Sequence, residues 1–597
     1  MIEKIVDNII SPLGSDTESN YKAVKSGRSC LRRYDHYKDL PEPFMASLFS
    51  DEQWHEIYRL AGLEEAQHLY TRFESLVIAS ITSALQQIYI DVTSPRVLFI
   101  LSTTKGNVEL LGQRSPSFPK ERILLGNAAE IITRHFRNPN IPIVASNACI
   151  SGLCAQITAK RVLESGRYDK VVVCGADVQS RFTISGFQSL KALSIEECKP
   201  FDISRNGLNL GEAAATIIYG MTPNVTKEGG NRWNAVAGSI HNDAYHISTP
   251  SKDAEGCYRA LRDVVSPGRE EIAMISTHGT STLYNDEMES KALARAGADH
   301  IPINSFKGYY GHTMGAAGVL ETILSMRSLE DHAVLATRGF NRLGVSHPVN
   351  ISSENRPTIL HSFIKMLSGF GGCNATMRYV MNVDQTANRD GERLSSDKPL
   401  KPLYGKISHD VKISPSEIAL DGNDLPIEGY GHELLINAYK QMKCCYPKFF
   451  KMDGLCRLGF IASELLLQQE GERCFNEKGM ITEEHACDDR AVILFNRYGS
   501  LCDDHEYQQT IESSNRFYPS PAIFVYTLPN IVTGEIAIRN RYYGETSFYV
   551  LPQHDDKVIT RMVEDVLSEE KTNSVLYGWV DYEDHEHFEA NLKIIKK

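Results

Sequence analysis

IVASNACISGLCAQI, residues 143–157, is the stretch of sequence that decides the fold of this chain. A short apolar run leads into a turn of small residues that holds Cys149, and apolar positions then recur at helical spacing from Cys154 to Ser165. A thiol at the N-terminus of a helix is stabilised as the thiolate by backbone N–H groups and the helix dipole. We therefore predict a lowered pKa for Cys149 and a role as nucleophile. A lone cysteine would equally suit an inert, buried position, so this prediction depends on its surroundings.

Length and composition indicate an ordinary globular protein of more than one unit. The 597 residues exceed what a single hydrophobic core usually covers. No apolar run approaches the roughly 20 residues that cross a membrane, and the first residues lack the pattern of a signal peptide, so we expect a cytoplasmic protein without a membrane span. The net charge of −12 argues against nucleic acid as the main ligand. Thirteen cysteines without metal-ligand spacing predict reduced thiols and no metal site.

Strand and helix patterns alternate along the first part of the chain, which predicts an α/β fold. An amphipathic helix is predicted at 60–90, a buried strand at 97–103, a helix at 121–136 and another strand at 171–178.

Two histidines stand at the ends of predicted elements. His278 follows a strand and precedes a helix, and His312 lies at a glycine-flanked helix start. Loops at strand ends commonly hold the chemistry of α/β proteins, so both imidazoles are candidates for a site with Cys149. His241 and His246 are also in loops and are expected to be structural.

Five motifs carry a family resemblance. In chain order they are ASNACISG, PFDISRNGLNLGEAA, HGTSTLYNDEMES, KGYYGHTMGAAGVLE and SGFGGCNA. Together they resemble the motif set of the elongating (type II) β-ketoacyl-acyl carrier protein synthases, over about residues 5–382. The resemblance implies a thiolase fold, with two pseudo-symmetric βα halves stacked in five layers, usually as a homodimer or as a heterodimer with another ketosynthase-like subunit. It also implies an acyl carrier protein as partner and no cofactor of the enzyme's own, since the carrier protein brings the phosphopantetheine.

The resemblance assigns catalytic roles to particular residues. Cys149 would attack an acyl thioester, and the backbone N–H groups of Cys149 and Phe370 would form the oxyanion hole. His278 and His312 would stabilise the enolate that forms when a malonyl thioester loses CO2.

Four further residues match supporting positions of the family. Lys307 matches the active-site lysine, and Glu321 matches the buried glutamate that pairs nearby. Thr280 and Thr282 match the hydroxyl groups that hold the pantetheine arm.

Related chemistries differ from this one in residue type. Thiolases use a second cysteine near the position of Ser368 or Gly369, and Cys373 comes too late in SGFGGCN to match it. Priming synthases that accept coenzyme A esters have asparagine in place of His312. The sequence therefore favours decarboxylative condensation in fatty acid, polyketide or aryl polyene-type biosynthesis. Ser368 replaces an aromatic residue of the family's gating loop, so gating or acyl preference is expected to differ.

The last third of the chain repeats part of the first. Residues 384–404 are polar and carry prolines, which predicts a linker between a ketosynthase domain at 1–383 and a second unit at 405–597. In that unit AVILFNRYGS falls on VLFILSTTKG and VLYGWVD falls on VVVCGAD, so it resembles the N-terminal half of a second thiolase fold. Counting by the family's spacing places Gln553 where the cysteine would be, and no HGT or GHT segment follows. The unit is expected to be inactive.

Two functions follow from these observations. The first is an acyltransferase, a 3-oxoacyl-[acyl-carrier-protein] synthase, and the alternative is a noncatalytic partner that sets chain length or serves as a scaffold in a ketosynthase complex. Intact Cys149, His278 and His312 favour the enzyme. A half thiolase fold must cover its open face, against the first domain or another subunit. Deletion of 400–597 is expected to leave the chemistry of Cys149 assayable and to alter assembly or product length.

Overall fold

The computed structural model describes most of the chain, in seven segments. These segments are residues 2–112, 117–221, 232–265, 271–382, 405–442, 445–512 and 517–597. The linker predicted at 384–404 lies outside the described residues. None of the helices described is long and apolar enough to cross a membrane.

The described part of residues 2–382, the N-terminal region, holds two large sheets, two small sheets and their helices. The strands are β1 (Ile2–Ile10), β2 (Arg32–Tyr34), β3 (Phe44–Ser47), β4 (Val97–Ser102), β5 (Ile143–Ala145), β6 (Lys170–Asp177), β7 (Leu210–Gly211), β8 (Ala213–Met221), β9 (Arg232–Asn242), β10 (Met274–Ser276), β11 (Pro302–Asn304), β12 (Ala333–Val334), β13 (Asn350–Ile351), β14 (Arg356–Pro357), β15 (Ser362–Gly369) and β16 (Cys373–Asn382). The helices are α1 (Thr17–Lys25), α2 (Asp51–Ala61), α3 (Arg72–Leu85), α4 (Leu125–His135), α5 (Ser151–Glu164), α6 (Arg181–Ser189), α7 (Glu255–Val265), α8 (Leu283–Arg295), α9 (Lys307–Tyr310) and α10 (Ala317–Glu330).

Residues 405–597, the C-terminal region, add a third large sheet. Its strands are β17 (Lys406–Ile413), β18 (Ile418–Leu420), β19 (Asn423–Asp424), β20 (Arg490–Asn496), β21 (Thr546–Val550), β22 (Ser574–Tyr582) and β23 (Phe588–Lys596). Its helices are α11 (His432–Gln441), α12 (Gly454–Gln468), α13 (Leu501–Thr510), α14 (Pro521–Tyr526), α15 (Ile531–Asn540) and α16 (Asp556–Leu567).

The single helix predicted at 60–90 is wrong, because local signals divide this stretch. Helix α2 ends where Gly62 takes a left-handed conformation (φ 68°), which stops the helix. Helix α3 begins only after Thr71, whose side chain accepts from the N–H of Glu74 while the Glu74 carboxylate accepts from the N–H of Thr71. This capping box fixes the start of α3.

The three sheets share one strand order. The orders are β5-β4-β6-β8-β1, β11-β10-β15-β16-β9 and β21-β20-β22-β23-β17. In each sheet the first three strands are parallel and the last two are antiparallel to their neighbours. The chain therefore contains three copies of one βα half, and the repeat predicted in the C-terminal region is confirmed.

Helices α5 and α10 lie between the first two sheets. Helix α5 contacts β6 and β16, α10 contacts β8 and β15, and α3 and α7 cover the outer faces. The two central helices touch at Gly152 and Gly318, where a Cβ on Gly152 would lie 2.9 Å from the Cα of Gly318. These contacts give the five-layered α/β arrangement predicted from the sequence.

The C-terminal region continues the first sheet at its β5 edge. Strand β21 pairs antiparallel with β5, with Tyr549 opposite Ala145 and Val550 opposite Val144. Strand β4 occupies the other side of β5. Both edges of β5 are thus used within one chain.

The strand ends also show which residue corresponds to Cys149 in the repeat. Cys149 is the fourth residue after the end of β5, and His554 is the fourth after the end of β21. The helix that follows begins six residues after the strand in both copies, at Ser151 and Asp556. The equivalent residue is therefore His554 and not Gln553, a correction of one position, and it carries no thiol.

Candidate active site

Cys149 lies on a sharp turn between β5 and α5. The turn is a short 3-10 segment, Ala148–Ile150, in which Ala148 has a left-handed backbone (φ 48°). A residue with a Cβ adopts this conformation at an energetic cost, so the surrounding structure must hold it. The turn brings the sulfur to the N-terminal end of α5.

The two histidines reach the same place from the second sheet. His312 precedes a 3-10 turn, Met314–Ala316, that leads into α10, and Met314 repeats the left-handed backbone (φ 53°). His278 follows β10, and its N–H donates to Glu289 Oε1 at 2.6 Å. The N–H of Gly279 donates to the second oxygen of Glu289 at 2.7 Å. The buried carboxylate thereby fixes the loop that carries His278.

The predicted thiol and imidazoles converge. Cys149 Sγ and a ring nitrogen from each of His278 and His312 all lie within 4.8 Å of one another. The two rings meet edge to face, with centroids 5.1 Å apart. Among the described residues, His278 Nδ1 and both ring nitrogens of His312 are buried without a hydrogen-bond partner. Unpaired buried nitrogens cost about 1–3 kcal/mol each, which a bound ligand would recover.

Burial sets the protonation of this group. It raises the pKa of the Cys149 thiol to about 12, and the nearby charge of Lys307 acts in the opposite direction. The lowered pKa predicted from the helix start is therefore wrong, because the loss of solvent dominates. Burial, reinforced by Lys307, holds the pKa of both His278 and His312 well below its usual range. At neutral pH the site thus holds a thiol and two neutral imidazoles.

Two lysines share one carboxylate behind the histidines. Lys307 Nζ lies 2.7 Å from Glu321 Oε1, which agrees with the predicted pairing, and Lys365 Nζ lies 2.5 Å from Glu321 Oε2. Burial tends to raise the pKa of Glu321, but the two ammonium groups outweigh it and hold that pKa below its usual value. The sequence reading missed Lys365, because a single lysine in the apolar strand SFIKMLSG gives no sign of its partner.

Lys365 is fully enclosed. Its Nζ also donates to the carbonyl oxygens of Ser276 and Thr277, at 3.1 and 2.9 Å. Burial lowers the pKa of Lys365 to about 8, against the attraction of Glu321. The positive charge beside Glu321 therefore weakens as Lys365 loses its proton.

The loop after β15 runs beside Cys149. A Cβ placed on Gly369 would lie 3.3 Å from the backbone nitrogen of Cys149. Gly371 and Gly372 turn the loop with φ of 89° and 72°, a conformation that favours glycine. The loop that carries Phe370 thus passes close to the Cys149 amide, and the oxyanion hole formed with Phe370 stays a prediction.

A cavity of about 410 Å³ opens from this group to the surface. Cys149, His278 and His312 line it, and so do Thr280 and Thr282, whose hydroxyl oxygens are 2.9 Å apart. All of the residues assigned to pantetheine binding therefore face one channel.

The walls of the cavity hold further residues. Leu283 and Tyr284 line it with 58% and 73% of their surface exposed, which marks the mouth. Ser368 lines it and donates to Asn374 Oδ1 at 2.7 Å. His246, expected to be structural, also lies on the wall.

Phe187, which lines the cavity, belongs to an aromatic cluster that includes residues of the C-terminal region. The Phe187 ring lies 6.4 Å from that of Phe370 and 5.5 Å from that of Phe524 in the C-terminal region. Phe524 packs so closely on Gly186 that a Cβ there would meet the ring at 2.0 Å. The Tyr507 ring packs behind it in a tilted arrangement, with its centroid 5.2 Å from that of Phe524. The C-terminal region thus packs behind Phe187, which itself lines the cavity, and the sequence did not reveal this contact.

Comparisons with known proteins agree with this geometry. Residues 128–219 match the family model "Beta-ketoacyl synthase, N-terminal domain", and residues 235–341 match "Beta-ketoacyl synthase, C-terminal domain". The 3-oxoacyl-[acyl-carrier-protein] synthase 2 of Vibrio cholerae is 29% identical over 410 residues, covering 62% of this chain and 96% of the relative. The corresponding synthase of Coxiella burnetii is 30% identical over 281 residues, covering 44% of this chain and 67% of the relative.

Solved structures extend the likeness to the C-terminal region. The PfaC keto synthase–chain length factor matches 100% of this chain and 78% of its own length, with a TM-score of 0.72 at 12% identity. A ketosynthase of Xenorhabdus doucetiae, solved in complex with its chain length factor, matches 64% of this chain and 98% of its own, with a TM-score of 0.55 at 22% identity. The likeness in fold to the keto synthase–chain length factor structure thus includes the C-terminal region.

Proposed function

The chain belongs to the β-ketoacyl synthase family of condensing enzymes, and from this membership we propose that it is a 3-oxoacyl-[acyl-carrier-protein] synthase with Cys149 as nucleophile. The observation that supports the proposal best is the convergence of one thiol and two unpaired neutral imidazoles at the inner end of a cavity. The intact triad argues against the noncatalytic alternative.

The first half-reaction loads the acyl chain. Cys149 Sγ attacks the carbonyl carbon of an acyl thioester while its proton passes to a neutral imidazole. The N–H groups of Cys149 and Phe370 stabilise the oxyanion of the tetrahedral intermediate. The carrier's thiolate then leaves, takes up the proton, and leaves an acyl group on Cys149.

The second half-reaction forms the carbon–carbon bond. A malonyl thioester loses CO2, and the electron pair of the broken bond becomes an enolate. N–H groups of His278 and His312 donate hydrogen bonds to the enolate oxygen. The ring nitrogen that faces this oxygen must therefore carry a proton, as one nitrogen of a neutral imidazole does. The enolate carbon attacks the acyl carbonyl, and Cys149 leaves as a thiolate to give a β-ketoacyl thioester. The thiolate then takes up a proton from solvent and returns to the resting thiol.

Charged groups behind the site prepare it for this chemistry. Lys307 and Lys365 share the carboxylate of Glu321. Together with burial, the two positive charges keep the imidazoles unprotonated, and they favour a developing oxyanion.

An acyl carrier protein is the proposed partner, and its pantetheine arm is the proposed occupant of the channel. Thr280 and Thr282 face that channel with their hydroxyl groups, where they can bond the amides of the arm. The exposed Leu283 and Tyr284 provide the apolar rim.

The C-terminal region is proposed to replace the second subunit of a ketosynthase pair. We propose a ketosynthase domain at 1–383, a linker at 384–404 and an inactive half-thiolase domain at 405–597. Strand β21 occupies the edge of β5, so a second copy of the chain finds no free edge there. His554 stands in place of the nucleophile. Phe524 beside Phe187 gives this half a part in setting the acyl length.

Acyl transfer tests the proposed function. The full chain is incubated with acyl carrier protein loaded with acetyl to decanoyl groups, and the intact mass and the peptide that holds Cys149 are measured. We expect one acyl group on Cys149, none in C149A, and normal labelling in C174A, which removes a buried thiol on β6. No adduct with any chain would contradict the proposal and favour the noncatalytic alternative.

A further inference from the structure

Asn530, at the start of α15 in the C-terminal region, touches the loop beside the nucleophile. Its Nδ2 donates to the carbonyl oxygen of Phe370 at 2.8 Å. The backbones are also in contact, since a Cβ on Gly534 would lie 2.5 Å from the oxygen of Gly371. The C-terminal region thus contacts the loop that carries the predicted oxyanion-hole amide.

The same half holds the other side of the oxyanion hole. Asn147, two residues before Cys149, donates through Nδ2 to the oxygen of Thr546 at 3.1 Å and accepts from the N–H of Phe548 at 3.1 Å. The N–H of Ser146 donates to the oxygen of Phe548 at 3.2 Å. Strand β21 therefore anchors the turn of Cys149 while α15 anchors the loop of Phe370.

Packing alone does not explain an asparagine at 530. The side chain is 1% exposed, and its Oδ1 has no hydrogen-bond partner among the described residues. A buried amide that satisfies only one of its two polar ends is less favourable than an apolar residue of similar shape. Its Nδ2 also lies 3.7 Å from Cys373 Sγ, so the short bond to Phe370 is the main contact that the amide adds.

We propose that Asn530 is a positioning residue for the condensation site. By holding the Phe370 carbonyl it restricts rotation of that residue, and so keeps the Phe370 N–H directed at the carbonyl oxygen of the substrate. The active site is then completed across the two halves of one chain, as a partner subunit would complete it. This inference rests on the proposed acyl transfer at Cys149.

The test compares N530L, which keeps the number and branching of the heavy atoms and removes the donor, with wild type in the full chain. The matched control is N540A on the same helix, whose Nδ2 bonds only within the C-terminal region, to the oxygen of Ile536. Three readouts are taken: acylation of Cys149 by an acyl thioester, alkylation of Cys149 by iodoacetamide, and hydrogen–deuterium exchange in the peptide 366–374. Alkylation reports access to the thiol and needs no oxyanion hole.

We expect acylation by N530L to slow roughly 10- to 100-fold with little change in KM, because the oxyanion donor is misplaced. Alkylation should stay within about twofold of wild type, and exchange in 366–374 should be faster. N540A should resemble wild type in all three. Unchanged acylation, or an equal fall in acylation and alkylation, would overturn the positioning role.

The proposed function and this inference fail separately. If wild type forms no acyl adduct, the proposed function fails and the catalytic part of the inference with it. Exchange in 366–374 would still decide whether Asn530 holds the loop, and unchanged exchange in N530L would refute that contact.

Discussion

Replacing Gly152 by alanine should disturb catalysis without touching a catalytic residue. A Cβ at Gly152 would lie 2.9 Å from the Cα of Gly318 and 3.0 Å from the oxygen of Gly315. These are backbone atoms of the segment that follows His312, and they cannot rotate away. Restoring ordinary contact requires helices α5 and α10 to separate by about 0.5 Å. Cys149 lies just before one of these helices and His312 just before the other, so the separation acts on the distance between them.

The size of the effect follows from the displacement. A misplacement of about 1 Å can cost roughly 100-fold in rate, so about 0.5 Å should cost roughly tenfold. Overpacking of the helix contact should lower the free energy of unfolding by about 1–3 kcal/mol. G318A should be worse, because its Cβ would lie 2.6 Å from the nitrogen of Leu153.

The assay is the rate of Cys149 acylation, measured beside thermal unfolding. G112A is the control, since a Cβ there meets only the flexible end of Gln508 at 3.4 Å. Wild-type acylation in G152A with reduced stability would refute the claim that the glycine contact sets the geometry of the site. A control as slow as G152A would refute it equally.

The remaining predictions concern charge, chain length and metal ions. In K365M the pKa of His278 and His312 should rise towards its usual value, because one of the positive charges that lowers this pKa is gone. The acid limb of the pH–rate profile should therefore move to higher pH. The difference from wild type should fade above about pH 8, where Lys365 itself loses its proton, and K199M at the surface should show no shift. F524L, behind the cavity-lining Phe187, should shift acyl preference towards longer chains, measured by competitive acylation with mixed chain lengths. An unchanged preference would exclude an effect of Phe524 on chain length. A thiol and two imidazoles within 4.8 Å of one another are also suitable ligands for Zn²⁺. Micromolar Zn²⁺ should therefore block acylation of Cys149, and EDTA should restore it. Inhibition that persists in H312N would place the ion at another site.

The site residues that come from the N-terminal region could be predicted from the sequence. The thiol and both histidines stand next to glycines and strand ends that fix their place, and Lys307 and Glu321 are only 14 residues apart along one motif. The structure brings all of them together. The lowered pKa of Cys149 was wrong because helix position is visible in a sequence, whereas the extent of burial is not.

The contribution of the C-terminal region could not be predicted from local patterns. Asn530 and Phe370 are 160 residues apart, and β21 meets β5 across about 400 residues, so neither contact leaves a periodic signal. The repeat itself was visible in the sequence because each copy builds the same sheet and therefore needs the same order of apolar strand and helix patterns. The contacts of Asn147 and Asn530 now favour loss of Cys149 chemistry on deletion of 400–597, contrary to the expectation from sequence.

The most direct test of the account is the condensation product. Full-length protein, acylated on Cys149, is mixed with [2-¹³C]malonyl carrier protein, and the carrier-bound product is measured by mass spectrometry. We expect a β-ketoacyl thioester that retains the label and has lost one CO2, absent in C149A. An acyl-Cys149 that is only hydrolysed, with no labelled β-ketoacyl product, would contradict the assignment of this chain as a condensing enzyme.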